Sequence, residues 1–196
     1  MLEEHLGGHA GYTNLDEGAL DFVKDILKVK SMLDIGCGPG GMVQLANQKK
    51  INAIGIDGDY TLDRYDDSKF IIHDYTKGPI KKMKPKQFDL GWSVEFVEHV
   101  YEEYIPNYMP SFQRCKYVIM TYAPPGWPGH HHVNCQPESY WINKFIQYGF
   151  KYDGALTNHL RSRSTMHKPE KSRVVERGFP PVKGAYVKKR GLLFRK

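Results

Sequence analysis

The chain has 196 residues, 40% of them hydrophobic and 26% charged, which suits one globular domain (residues 1–196) with a single substantial core. No run approaches the eighteen or so apolar residues of a membrane span, no N-terminal signal segment is visible, and three cysteines without CxxC spacing fit a reducing, cytoplasmic setting better than a disulfide framework or a zinc module. The net charge of +6 is unevenly spread: Arg161 to Lys196 holds twelve Lys or Arg against Glu170 and Glu176, making that segment +10 and the rest −4, an asymmetry that suits either an anionic partner or a solvated basic surface.

Residues 1–30 read as a polar, glycine-rich start with His5, His9 and Tyr12, then a helix. Asn14 with Glu17 three residues on forms a capping-box pair, and the helix is expected to run to about Val29 with Ala19, Phe22, Val23, Ile26 and Leu27 on its apolar face. A short apolar strand then enters Gly36-Cys37-Gly38-Pro39-Gly40-Gly41, and a helix follows from Gly41 to about Gln48. Asn52 to Ile56 reads as a buried strand ending at Asp57, and Phe70 to Ile72 as another ending near Asp74. Tyr60 to Ser68 reads as a weak helix or turn, and the basic, proline-containing stretch Thr76 to Lys86 as a loop.

Phe88 to Ser93 is the fourth predicted strand, leading into a helix over Val94 to Val100. Tyr101, Tyr104, Ile105 and Tyr108 form an aromatic stripe broken by Pro106 and Pro110. Lys116 to Tyr122 is the fifth strand; it empties into a stiff Pro/Gly loop and then His130-His131-His132-Val133-Asn134. Pro137 opens a helix that Gly149 closes, Phe150 to Tyr152 begin a sixth strand, Asp153 to Arg163 suits a short helix, and Tyr186 to Phe194 a last strand. Residues 156–185 form a basic insertion before that last strand, with the polar stretch Ser164 to Lys183 expected to be disordered. Alternating strands and helices imply an α/β fold, a doubly wound, mostly parallel sheet with helices on both faces.

The chemistry converges on Ser31 to Gly41. Glycines there permit φ > 0 and close approach of a ligand, and the helix start adds free N–H groups and a positive dipole end. Gly36-x-Gly38-x-x-Gly41 alone also satisfies a dinucleotide fingerprint. Asp34 argues against a pyrophosphate, which has no use for a fixed carboxylate, and for a cationic ligand such as a sulfonium. Asp57 stands about twenty residues on, where a ribose-binding acid is expected.

Leu33-Asp34-Ile35-Gly36-Cys37-Gly38-Pro39-Gly40 resembles motif I of the class I S-adenosylmethionine-dependent methyltransferases, and Ser93-Val94-Glu95-Phe96-Val97-Glu98-His99 resembles their motif IV. The resemblance spans about residues 12–155. It implies a Rossmann-like, seven-stranded fold whose final strand pair is separated here by the insertion. It also implies S-adenosylmethionine as methyl donor and S-adenosylhomocysteine as product. Carried over residue by residue, it places Asp34, Gly36, Cys37 and Gly38 at the cofactor, Asp57 on the ribose, Asp74 on the adenine amino group, Ser93, Val94 and Glu95 at the methionine end, and Tyr12 in an N-terminal cover.

His99, four residues after Glu95, is expected one turn along the same helix face, orienting the strand-end loop. The histidine run follows the fifth strand, at the carboxyl end of the sheet where ligands bind, and similar Pro/Gly–His–Val-Asn stretches occur in relatives acting on small molecules. His132, with His130 on the same side by alternation, is the expected base; solvated loop histidines are the competing reading. No nearby Cys, Asp or Glu completes a metal set at recognisable spacing, so no metal is expected. Without a D/N-P-P-Y/F motif, the leading acceptor is an oxygen or nitrogen of a small molecule or sugar. A nucleic acid held by the basic segment and a cofactor-binding protein without transfer are the alternatives.

Overall fold

A computed structural model describes residues 2–9, 11–166 and 185–196. Among them the sheet has seven strands in the order β3-β2-β1-β4-β5-β7-β6: β1 (Ser31–Ile35), β2 (Asn52–Asp57), β3 (Phe70–Ile72), β4 (Phe88–Ser93), β5 (Cys115–Met120), β6 (Lys151–Tyr152) and β7 (Leu192–Arg195). β1 to β5 pair in parallel, and β7 runs antiparallel to both β5 and β6. The strand order reverses between β1 and β4, opening a crevice beyond their carboxyl ends.

The central strands are apolar on both faces because both are covered. Leu33 and Ile35 of β1, Val118 and Met120 of β5, and Leu192 and Phe194 of β7 belong to one core. Met32, Leu90, Trp92, Ile119 and Leu193 belong to the other. Phe145 stacks on Phe194 at 4.5 Å. Covering helices are α1 (Glu17–Asp25), α2 (Gly41–Gln48), α3 (Ile105–Phe112), α4 (Glu138–Gln147), α5 (Gly154–Arg163) and α6 (Tyr186–Arg190).

Several expectations are corrected. The cap of α1 is Asp16, not Asn14: its carboxylate accepts from Ala19 N at 2.9 Å and also from Ser164 Oγ and Thr165 N, 148 and 149 residues away, donors that no local pattern reveals. α1 stops at Asp25, short of Val29; Lys28 is left-handed, φ 57°. Pro106 lies in the first turn of α3, where no N–H is needed, and Pro110 lies inside the helix instead of breaking it. Pro137 is the N-cap of α4 and not its first helical residue. Tyr186–Arg190 is helical, so the final strand is shorter than its apolar pattern suggests. The β6–β7 pair forms despite the insertion. Most of the predicted disordered stretch, 167–184, lies outside the described residues.

Candidate active site

A cavity of about 760 Å³ opens beyond the carboxyl ends of β1, β2, β4 and β5, within the ~300–1,000 Å³ range of ligand sites. Its floor is the turn after β1. Gly36 (φ 75°) leaves no room for a side chain, since a Cβ would lie 2.4 Å from Phe96, and Gly40 (φ 85°) is the left-handed N-cap of α2. Gly36 N and Cys37 N donate to the Ile56 carbonyl at 2.9 and 3.1 Å, and Gly38 N donates to Asp57 Oδ2 at 2.7 Å. Asp59 N donates to Asp57 Oδ1 at 2.8 Å. The turn is thus fastened to the end of β2.

Two acids meet at this floor. Burial, reinforced by Asp57, pushes the Asp34 carboxyl well above its usual range. Burial also raises Asp57, although the N–H groups of Asp59 and Gly38 oppose it. Both residues face the cavity, so a cation arriving there would be stabilised by two poorly solvated carboxylates.

The N-terminal segment covers one side. His9 Nε2 lies 2.9 Å from Asp59 Oδ2 and His5 Nε2 3.3 Å from Asp74 Oδ2. His130 Nε2 donates to the Glu4 carbonyl at 2.9 Å. Asp59, two residues after Asp57, is 1% exposed, and its partner in the cover, His9, comes from fifty residues upstream.

The opposite end is built from the segments after β4 and β5 and from α6. No α-helix follows β4: Glu95 has φ 55°, and only a single 3₁₀ turn, Val97–His99, forms. Glu98 turns inward, 0% exposed, and its carbonyl accepts from Val133 N and Asn134 N at 2.9 and 3.0 Å. His99 Nδ1 donates to the His130 carbonyl at 2.8 Å, and His132 Nδ1 to the Trp127 carbonyl at 2.9 Å. Carbonyls only accept, so each Nδ1 carries a proton. Burial, with His132 beside it, pushes the His99 imidazole down to about 4, so it is neutral at physiological pH. Arg190 ion-pairs with Glu95 at 3.4 Å and lies over Trp127, 4.5 Å from the ring centroid.

The chain is similar in structure to a TehB-like S-adenosylmethionine-dependent methyltransferase from Corynebacterium glutamicum, 16% identical over 91% of this chain and 87% of that one, TM-score 0.59. It is similar to a methyltransferase of the same dependence from Archaeoglobus fulgidus, 17% identical over 91% and 92%, TM-score 0.53. It is also similar to magnesium protoporphyrin IX methyltransferase from Synechocystis PCC 6803, a structure with bound S-adenosylhomocysteine, 15% identical over 69% and 71%, TM-score 0.51. No curated protein sequence matches it. Residues 33–118, which hold the glycine turn, Asp57, Asp74 and the segment after β4, match the family described as methyltransferase domain. The chain has the fold of these methyltransferases, and residues 33–118 carry the methyltransferase-domain signature.

In this chain, Tyr12, Asp34, Gly36, Cys37, Gly38, Asp57, Asp74, Val94, Glu95, His99, His130 and His132 all line one cavity. Ser93 lies elsewhere: it is buried, and its hydroxyl donates to the Ile35 carbonyl at 2.9 Å, joining β4 to β1. His99 does not share a helix face with Glu95, because the left-handed Glu95 ends the strand in a turn. His130 is held by the cover, whereas His131 packs edge-on against Tyr101 at 5.5 Å. Sequence reasoning passed over Glu98 and Arg190. The Glu-x-x-Glu-His spacing drew attention only to Glu95 and His99, and Arg190 sat within a stretch read as strand.

Proposed function

We propose that the methyltransferase binds S-adenosylmethionine along the β1 turn and moves its methyl group to an oxygen or nitrogen of a small molecule held between the cover and the histidine loop. The observation that carries this reading is the Gly38–Asp57 fastening beside Asp34, a glycine cradle next to two buried acids. Asp57 suits the ribose hydroxyls, Asp74 the adenine amino group, and Asp34 and Glu95 the cationic methionine end. The donor supplies a methyl group on a positively charged sulfur, so the protein has mainly to align donor and acceptor. Removal of the acceptor's proton depends on His132, whose ring is held by its Nδ1–H on the Trp127 carbonyl.

The commitment of nearby cations to partners within the chain supports a small molecule over a nucleic acid. Tyr101 and Trp127 line the acceptor end, and Arg190 is committed to Glu95 and Trp127. Arg161, in the basic segment, is bonded to Glu138 and to the Gly191 carbonyl. The test is incubation with isotopically labelled S-adenosylmethionine and a metabolite extract, in parallel with total RNA and DNA. Label is expected in a small-molecule fraction; label only in nucleic acid would reverse the acceptor assignment.

A further inference from the structure

We infer that Glu98, His99 and His132 form a binding site for one divalent metal ion of the manganese-to-zinc series at the acceptor end of the cavity. One donor atom from each of the three residues lies within 4.8 Å of the other two. The three are far apart in sequence only at His132. The turn after β4 supplies Glu98 and His99, and the loop after β5 supplies His132, held close because the Glu98 backbone carbonyl accepts from Val133 N and Asn134 N. His99 and His132 stand with ring centroids 4.9 Å apart.

Glu98 is the independent observation. It is 0% exposed; no N–H or hydroxyl among the described residues donates to either of its carboxylate oxygens, and the one side chain they meet is the Glu95 carboxyl, another acid. A buried carboxylate without donors is costly unless it is neutralised or coordinates a metal. The charged groups around it are Glu95 and Arg190, and Arg190 ion-pairs with Glu95 at 3.4 Å. Among the described residues, Glu95 therefore has an ion-pair partner and Glu98 has none.

The histidines are prepared in the same sense. Both Nδ1–H groups are fixed on backbone carbonyls, the arrangement by which metal-ligating histidines are oriented and their tautomer set. Two imidazoles and one carboxylate make a mixed nitrogen–oxygen donor set, which suits Mn²⁺, Fe²⁺, Co²⁺ or Zn²⁺ better than the all-oxygen preference of Mg²⁺ or Ca²⁺. Three protein ligands leave positions open toward the cavity.

The role of the ion rests on the methyl-transfer reading; the binding site does not. An acceptor hydroxyl or amine on an open position becomes more acidic and releases its proton to solvent. Its lone pair then forms the bond to the methyl carbon as the sulfur–methyl bond breaks and that electron pair returns to sulfur. His132 acts in this step as a ligand.

The test uses the full chain, stripped with chelator and titrated with Co²⁺ and Mn²⁺ in the absence of S-adenosylmethionine. Expected are one bound equivalent, visible cobalt d–d bands with nitrogen ligation, and a raised Tm. Glu98→Gln and His132→Asn should each weaken binding by at least about tenfold. No stoichiometric binding and no cobalt bands in the wild-type protein would overturn the proposal, as would tight binding unchanged in both variants. S-adenosylmethionine affinity, measured separately on the stripped protein, reports on the methyl-donor site, so the two readings fail independently.

Discussion

The backbone N–H of Gly38 donates to Oδ2 of Asp57 at 2.7 Å, and with Asp59 N on the other oxygen at 2.8 Å this makes Asp57 a structural clamp on the glycine turn as well as a candidate ligand. Replacing it should therefore damage both the shape and the chemistry of the floor. Asp57→Ala is expected to weaken S-adenosylmethionine binding by about 1–3 kcal/mol, the usual cost of leaving buried polar partners unpaired. Calorimetry checks this; unchanged affinity would assign the ribose to another acid.

The cover is fastened through acids. Burial tends to raise Asp59, but the Thr61 hydroxyl and N–H together with His9 bring it below its ordinary value. Asp74 behaves alike: burial raises it, and Thr76 and His5 more than compensate. Both folded-state values lie below those of the unfolded chain, so the unfolded chain binds more protons in the acid range. Their contribution is complete above the ordinary carboxylate pKa of about 4 and is lost as pH falls through the depressed values. Thermal unfolding across pH 7, 5 and 3 should show this loss below about pH 4. Asp59→Asn should be less stable at pH 7 by about 1–3 kcal/mol and should lose part of the acid slope; an identical slope in both proteins would contradict the assignment.

Of the basic C-terminal residues, Lys189 and Arg190 line the cavity, whereas Arg161 and Arg163 do not. An anionic acceptor would therefore feel Lys189. Its effect should fade over a Debye length of about 8 Å at physiological salt. Lys189→Ala is expected to raise the acceptor KM and flatten its salt dependence, with donor affinity unchanged. Equal salt responses in variant and wild type would favour a neutral acceptor.

His132 carries the acceptor's deprotonation in this account, directly or through an ion. His132→Ala should lower turnover by about 10²–10⁴, the range for loss of positioned proton-transfer help, and leave S-adenosylmethionine affinity intact. Full turnover in this variant would return the histidine run to a structural role.

Much of this site could be read from local pattern. The glycine turn, Asp34 before it and the acid ending β2 occupy positions where a short apolar run meets a special backbone need, and such runs fix strands β1 to β5 closely. What escaped depends on distant partners. Asp16 outcompetes Asn14 as a cap only because Ser164 and Thr165 reach it. Asp59 is buried only because His9 folds over it. Glu98 reads as one more polar residue of a helix until the left-handed Glu95 turns the chain and sends its side chain inward. The spacing rule that argued against a metal set weighed neighbours in sequence, and Glu98 and His132 meet only through the sheet.

The most direct measurement is calorimetric titration of the purified chain with S-adenosylmethionine, S-adenosylhomocysteine and NAD. The account predicts saturable binding of the first two, weakened in Asp57→Ala, and none of the third. Binding of NAD with no heat from either S-adenosyl compound would contradict it.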